Sequence, residues 1–327
     1  MTITRRKLGV LAAVAAFSLT IAGCAAAETA EPAAEEAAPA ATEEVTEAVD
    51  CVIGMVQINQ TAAFFTEMNK GAEEAAAEVG CEITISNANN DSAKQASDIE
   101  NFVTQGVTGL IVVAIDVNGV LPGVQAAMDA GIKVIAVDAQ LEEGNYDTFV
   151  GVDNEAAGAL MGDWAVDNGY AEGSYGVVGA KNSFIQNLRE DAFRAVVDGA
   201  GAVFTQSVSG DNVQEQAADA AVNLITAQPD LNFIYTTGEP ATVGVVAGLG
   251  ENSTTKVIGW DLTKEVIAGL DSGTVVGVVQ QNPYQEGIEA VNEIFSLLSG
   301  GTAKGFIDVP ITIVTTENVE PFRAIFP

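Results

Sequence analysis

From residue 51 onward, short apolar runs rich in β-branched residues alternate with longer stretches in which apolar positions recur every three to four residues. The runs "CVIGMVQ", "CEITIS", "GLIVVA" and "KVIAVD" read as strands buried on both faces, because apolar residues mostly follow one another without polar alternation. Between them lie amphipathic helices. One covers 62–79, with Phe65, Met68, Ala72, Ala75, Ala76 and Val79 on one face; a second opens at Ser92, whose spacing to Gln95 fits a capping box; a third covers 121–130. Strand starts near 52, 82, 109 and 133 are spaced by the length of a βαβ unit, which predicts a parallel sheet with right-handed crossovers. After "FVGVDN" the rhythm restarts with "SYGVVG", "AVFTQSV", "NFIYTT", "KVIGWD" and "TVVGVVQQ", separated by helices over 186–198, 212–227, a short piece after Pro240, and 263–270. A last helix begins at Asn282-Pro283 with Ile288, Val291, Ile294, Phe295 and Leu298 as its buried stripe, and "VPITIV" closes the pattern after the turn at Gly300 and Gly301. The expected fold class is α/β, with two doubly wound parallel-sheet lobes.

The front of the chain follows a different pattern. Arg5, Arg6 and Lys7 precede a nearly unbroken apolar run at 8–21, shorter than the roughly 20 residues a membrane-crossing helix needs, so residues 1–23 read as an export signal. The run closes on Ile21-Ala22-Gly23-Cys24, which resembles the lipobox of bacterial lipoproteins and implies lipidation of Cys24 after cleavage before it. Residues 24–50 carry Ala, Pro, Thr and Glu with eight acidic side chains and no basic one, a composition expected to stay extended as a tether.

Charge and missing residue types narrow the chemistry. The chain has 13 Lys and Arg against 45 Asp and Glu, a formal charge of −32, which argues against nucleic acid and against adhesion to anionic lipid, leaving the lipid at Cys24 as the membrane attachment. It contains no histidine, which removes Ser-His-Asp triads, Cys-His pairs and histidine metal sites. Besides Cys24 only Cys51 and Cys81 remain, too few for a four-cysteine zinc site, and no phosphate-binding or dinucleotide fingerprint is present. Neither a metal nor a cofactor is expected. In a sheet order beginning 2-1-3 the two cysteines start neighbouring strands, so they read as a disulfide, with two buried free thiols as the alternative.

Ligands of open α/β sheets bind beyond the carboxyl ends of the strands. Asn59, Phe64, Phe65, Asp116, Asp138, Asn182, Arg189, Glu239, Asp261 and Gln281 follow such ends, with Tyr284 just beyond. Asp138 and Asp261 stand out because each directly ends an apolar strand, "VIAVD" and "VIGWD". Asp91 and Asn212 read as helix caps.

At these positions residues 51–327 resemble the ribose-type periplasmic sugar-binding proteins, the solute receptors of ABC importers: Phe64-Phe65, Asp138, Arg189 in "NLREDAF", Asp261 in "GWD" and Gln281 in "QQNPYQEG" match in order and spacing. The resemblance implies the type I periplasmic-binding-protein fold, aromatics packed on a sugar ring, and Asp, Arg and Gln bonded to its hydroxyls. It also implies two lobes joined by three crossings near 152–153, 281–282 and 306–308. The lobes are then residues 51–152 plus 282–307 and residues 153–281 plus 308–327. They close on ligand like a hinge and deliver it, as a monomer anchored on the extracytoplasmic face, to ABC permease and ATPase subunits. Ala139, Gly238 and Gly210 stand where ribose binders carry larger contacts, which argues against ribose itself and for a roomier pocket; with Asp116, Asp138, Glu239 and Asp261 facing it against Arg189 alone the pocket is acidic, so the expected ligand is a small neutral sugar, amino sugar or polyol. Asn59, Asp116, Asn182, Glu239 and Tyr284 are further candidate contacts, and Tyr284, Trp260 or Phe184 are candidates for a second aromatic wall. Two other functions fit less of the pattern: a receptor passing a furanose-like signalling molecule to a sensor, and an exported carbohydrate-active enzyme using Asp138 and Asp261.

Overall fold

A computed structural model describes residues 49–60, 63–249 and 253–326. Cys24, with the stretches at 1–23 and 24–48 read above as signal and tether, lies outside them. Among the described residues no helix is long and apolar enough to cross a membrane.

The chain first lays down β1 (Val52–Gln57), α1 (Ala63–Val79), β2 (Glu82–Asn87), α2 (Ser92–Gln105), β3 (Gly109–Val112), α3 (Leu121–Asp129), β4 (Lys133–Val137) and β5 (Thr148–Gly151). It then builds α4 (Asn154–Asp167), β6 (Ser174–Gly179), α5 (Phe184–Ala200), β7 (Val203–Ser209), α6 (Gln214–Ala227), β8 (Phe233–Thr236), α7 (Glu239–Leu249), β9 (Lys256–Trp260), α8 (Lys264–Ser272) and β10 (Val275–Gln280). Afterwards it returns with α9 (Pro283–Leu298) and β11 (Gly305–Asp308), and crosses once more to β12 (Thr312–Val314). Two six-stranded sheets result, in the orders β2-β1-β3-β4-β5-β11 and β7-β6-β8-β9-β10-β12. All neighbours are parallel except β10 and β12.

Continuous apolar strands suit this architecture because both faces of each sheet are covered. In the first lobe, Ile53, Met55, Ile111, Ile135 and Val137 point into a core with Met68 and Ala72 of α1 and Val291 and Ile294 of α9. The alternate positions Val56, Leu110, Val112, Val134 and Ala136 meet Ile99 and Phe102 of α2 and Val124 of α3 on the other face. The second sheet is covered in the same way by α6, α7 and α8 on one side and by α4 and α5 on the other. A disulfide joins Cys51 to Cys81 with Cα atoms 4.8 Å apart, at the amino-terminal starts of β1 and β2.

Three local readings change. Asp91 caps α2 as expected, its side chain accepting from the Ala93 and Lys94 N–H groups, but the capping box from Ser92 to Gln95 does not form, because Gln95 turns inward to bond the Val113 carbonyl and the Ile115 N–H. Asn212 is no cap: Asp211 and Asn212 both adopt left-handed backbone, which delays α6 to Gln214. Residues 305–308 pair along β5 as β11, with Asp308 opposite Gly151, so the third crossing runs over 309–311 instead of 306–308.

Candidate ligand site

The carboxyl ends of both sheets face a cleft between the lobes. Asp138 follows β4 and Asp261 follows β9, which occupy the fourth position of their respective sheets. Both residues have positive φ, 61° and 59°, and both donate their N–H to the next strand over, Asp138 to the Val150 carbonyl at 3.0 Å and Asp261 to the Val279 carbonyl at 2.8 Å. Left-handed backbone is uncommon outside glycine, and aspartate is among the residues that tolerate it. The same turn, made once per lobe, places a carboxylate at the cleft from each side.

Phe64, Phe65, Asp138, Arg189, Glu239, Asp261 and Gln281 line one pocket of about 220 Å³. Phe64 and Phe65 meet edge to face with ring centres 5.3 Å apart. Arg189 is only 3% exposed and lies over the fully buried Trp260, its guanidinium carbon 3.6 Å from the ring centre. Its Nε donates to Asn154 Oδ1 at 2.7 Å, Nη1 to the Thr237 carbonyl at 3.0 Å and Nη2 to Gln281 Oε1 at 3.4 Å. Gln281 in turn donates its Nε2 to both Asp261 oxygens, at 3.1 and 3.0 Å. Three of five guanidinium donors are thus spent on orientation, and two remain for a ligand.

Burial dominates the electrostatics. It pushes Asp138 up to about 6, with Arg189 pulling the other way and Asp261 adding to the rise. Glu239 is pushed up to about 7 by burial, Asp261 and Glu265. Asp261 is also raised by burial, against the pull of Arg189 and Gln281, and burial lowers Arg189 against the attraction of Asp261 and Asp138. Carboxylates outnumber cations here, which favours hydroxyl donors over anionic ligands.

The remaining candidates scatter. Asp116 and Asn182 line a wider part of the cleft, about 670 Å³, together with Ala139 and Phe184, and Asp116 also accepts from the Asn118 N–H. Asn59 sits just past β1 and donates to Asn90 at 3.3 Å. Tyr284 does not reach the site. At the second position of α9 it faces α1, where its hydroxyl donates to Glu74 and Lys70 Nζ stands 5.5 Å from its ring centre. Trp260 is the shelf under Arg189, and Phe184 is 73% exposed on the cleft lip, so neither encloses the pocket. Gly210 packs on α6, where a Cβ would lie 2.6 Å from that of Ala217, while the Gln186 amide fills the space beside Gly238.

Sequence reasoning missed the residues that hold the others in place. Gln186, one turn before Arg189, donates to Asn212 and accepts from Thr237, and Asn154 fixes the guanidinium. A buried polar residue on the inward side of an amphipathic helix is the signal that finds Gln186. The inward face of α9 also departs from its apolar stripe, since it buries Pro283, Glu286, Gly287 and Glu293 beside Val291 and Ile294.

Residues 53–302 match the periplasmic binding protein domain. The chain belongs to this family. Among relatives of the periplasmic binding protein family, the ribose import binding protein of Bacillus subtilis is 26% identical over 267 residues, covering 80% of this chain and 87% of its own. The xylitol-binding protein of Mycolicibacterium smegmatis is 25% identical over 321 residues, covering 96% and 87%. A crystal structure of an ABC transporter solute-binding protein from Mycobacterium smegmatis with bound glycerol is 30% identical, with a TM-score of 0.73 over 84% of this chain and 96% of that one. These periplasmic binding proteins are receptors for small solutes and not enzymes.

Proposed function

We propose that this protein captures a monosaccharide or related polyol between its two lobes and delivers it to an ABC importer from the extracytoplasmic face of the membrane, held there by lipid on Cys24. The observation that carries the reading is the pair of carboxylates, Asp138 from one lobe and Asp261 from the other, set around an Arg189 already oriented by Asn154, Thr237 and Gln281. Carboxylates accept and guanidinium donates, which matches the rim of hydroxyls on a polyol, and Phe64 with Phe65 supplies an apolar wall for its C–H surface. A ligand bonded to both lobes stabilises the closed form over the open one; a ligand gripping one lobe shifts nothing. Relatives named for ribose and xylitol, and one holding glycerol, support an uncharged polyhydroxyl ligand.

Thermal unfolding of protein stripped of carried-over ligand tests this, against D-ribose, D-arabinose, D-allose, xylitol, glycerol, glucosamine, glucuronate and ribose 5-phosphate. A ligand at 1,000 times its Kd adds about 4 kcal/mol of stability, a shift of several degrees. A shift with a neutral sugar, amino sugar or polyol is expected. Stabilisation by the two anions alone would overturn the reading.

A further inference from the structure

The three fully or nearly fully buried glutamates of the described residues differ in their surroundings. Glu190 bonds Lys181 and Ser207, and Glu293 bonds Thr148, the Lys304 main chain and the Lys304 ammonium. Glu286 has zero exposure, and neither of its carboxyl oxygens has a hydrogen-bond partner. It stands in the first turn of α9, directly after the crossing at 281–282, where the helix is pressed so closely on α1 that a Cβ on Gly287 would lie 2.2 Å from the Met68 carbonyl. An ionised carboxylate in such a place lacks water and any partner, and a helix N-terminus alone does not offset that loss.

The charged groups whose fields reach Glu286 are those of the ligand site: Asp138 at the end of β4, Asp261 at the end of β9 and Arg189 on α5. From α1 it meets no charge in this set; the face of α1 turned toward α9 is Met68, Gly71 and Ala72, and the charges of Lys70 and Glu74 are taken up around Tyr284. We propose that Glu286 is a positioning residue of the ligand site: buried without a partner in the first turn of α9, just beyond the Gln281 that bonds Arg189 and Asp261, it seats this crossing as the neutral acid and adds no further negative charge to the site. Its role toward ligand rests on the function proposed above; its protonation does not. Burial, then Asp138 and Asp261, hold Glu286 well above the ordinary glutamate range. With zero exposure and no partner for either oxygen, its surroundings favour the neutral acid.

Urea unfolding of ligand-free wild type and Glu286→Gln between pH 5 and 8.5 tests the protonation. Glutamine mimics the neutral acid. The folding equilibrium constant of wild type should fall relative to the variant by up to tenfold per pH unit, until Glu286 ionises in the folded protein. A constant ratio across the range would overturn the proposal. Should Glu286→Gln fail to fold, Glu286→Leu supplies the same comparison, and the infrared band of a buried protonated carboxyl at pH 7.5, expected in wild type and absent from either variant, reads the same proton without unfolding. Calorimetric titration with D-ribose, D-arabinose, D-allose and xylitol at pH 6.5 and 8.5 tests the positioning role. At each pH Glu286→Gln should bind as tightly as wild type and Glu286→Leu severalfold more weakly; a Glu286→Gln as weak as Glu286→Leu, or a Glu286→Leu as tight as wild type, would overturn this part. If none of the four binds any of these proteins, the sugar reading falls, and the urea comparison still decides the protonation.

Discussion

Asp138 combines two features that folding alone would not select. Its backbone is left-handed, and its carboxylate carries no side-chain hydrogen bond in the ligand-free protein although burial raises it to about 6. Departures of this kind, held in place by the surrounding strands, are what a site gives up for function. We expect Asp138→Asn to unfold at higher temperature than wild type at pH 7.5. The gain is bounded at about 3 kcal/mol, because moving a carboxyl from 3.8 to about 6 disfavours its ionised form by that order. The same variant should lose about 1.5–3 kcal/mol of sugar affinity, the contribution of hydrogen bonds to a charged group. Calorimetric scanning and titration on one preparation check both. The placing of Asp138 and Asp261 at the cleft is legible because a charged residue at the end of an apolar strand is conspicuous, whereas Arg189, inside α5, shows only through the family resemblance of "NLREDAF". Glu286 is not legible, because a glutamate in the first helical turn reads as a solvated cap neighbour until its burial is seen.

At the scale of elements, two contacts carry the geometry. Helices α4 and α5 cross at Gly158, where a Cβ would lie 2.6 Å from the Arg189 carbonyl oxygen. Gly158 lies away from the pocket, yet Gly158→Val should lower stability by about 1–3 kcal/mol through overpacking and weaken ligand binding by displacing Arg189. A urea melt and a binding titration separate the two effects. The second contact is the disulfide, which closes a loop with a sequence separation of 30. The chain-entropy relation gives about 3–4 kcal/mol for such a loop, so Cys51→Ser with Cys81→Ser should unfold earlier. Its ligand affinity should hold, because the bond lies at the strand ends opposite the cleft. The apolar runs made most strands readable. The edge strand β11 escaped because "GFID" shows solvent along most of its length and offers neither a buried run nor clean alternation. Tyr284 was misplaced by nearness in sequence, since helical geometry turns the second position of α9 toward α1.

For the whole molecule the site's carboxylates set the direction of pH dependence. Asp138 and Glu239 ionise near 4 in the unfolded chain and at about 6 and about 7 in the folded one. Between those values the folded protein holds extra protons, so raising the pH favours unfolding. Glu293, whose burial is outweighed by hydrogen bonds from Lys304 and Thr148, sits below its ordinary value and loses its contribution only in acid. We therefore expect the ligand-free Tm to fall from pH 5 to pH 7.5, while the Tm shift produced by a bound sugar grows as Asp138 becomes an acceptor. Scanning calorimetry with and without ligand shows both trends, and a ligand-free Tm that rises over this interval would contradict them. The two-lobe plan was readable from the restart of the βα rhythm. The route of the chain between the lobes has a consequence for how the protein is made. The first sheet cannot receive β11, nor its core the side chains of α9, until the second lobe has been threaded through in between. A nascent chain thus lays down every α-helix and parallel strand of the second lobe while the first still lacks an edge strand and one of its covering helices, so the lobe begun first is the later of the two to have all its parts.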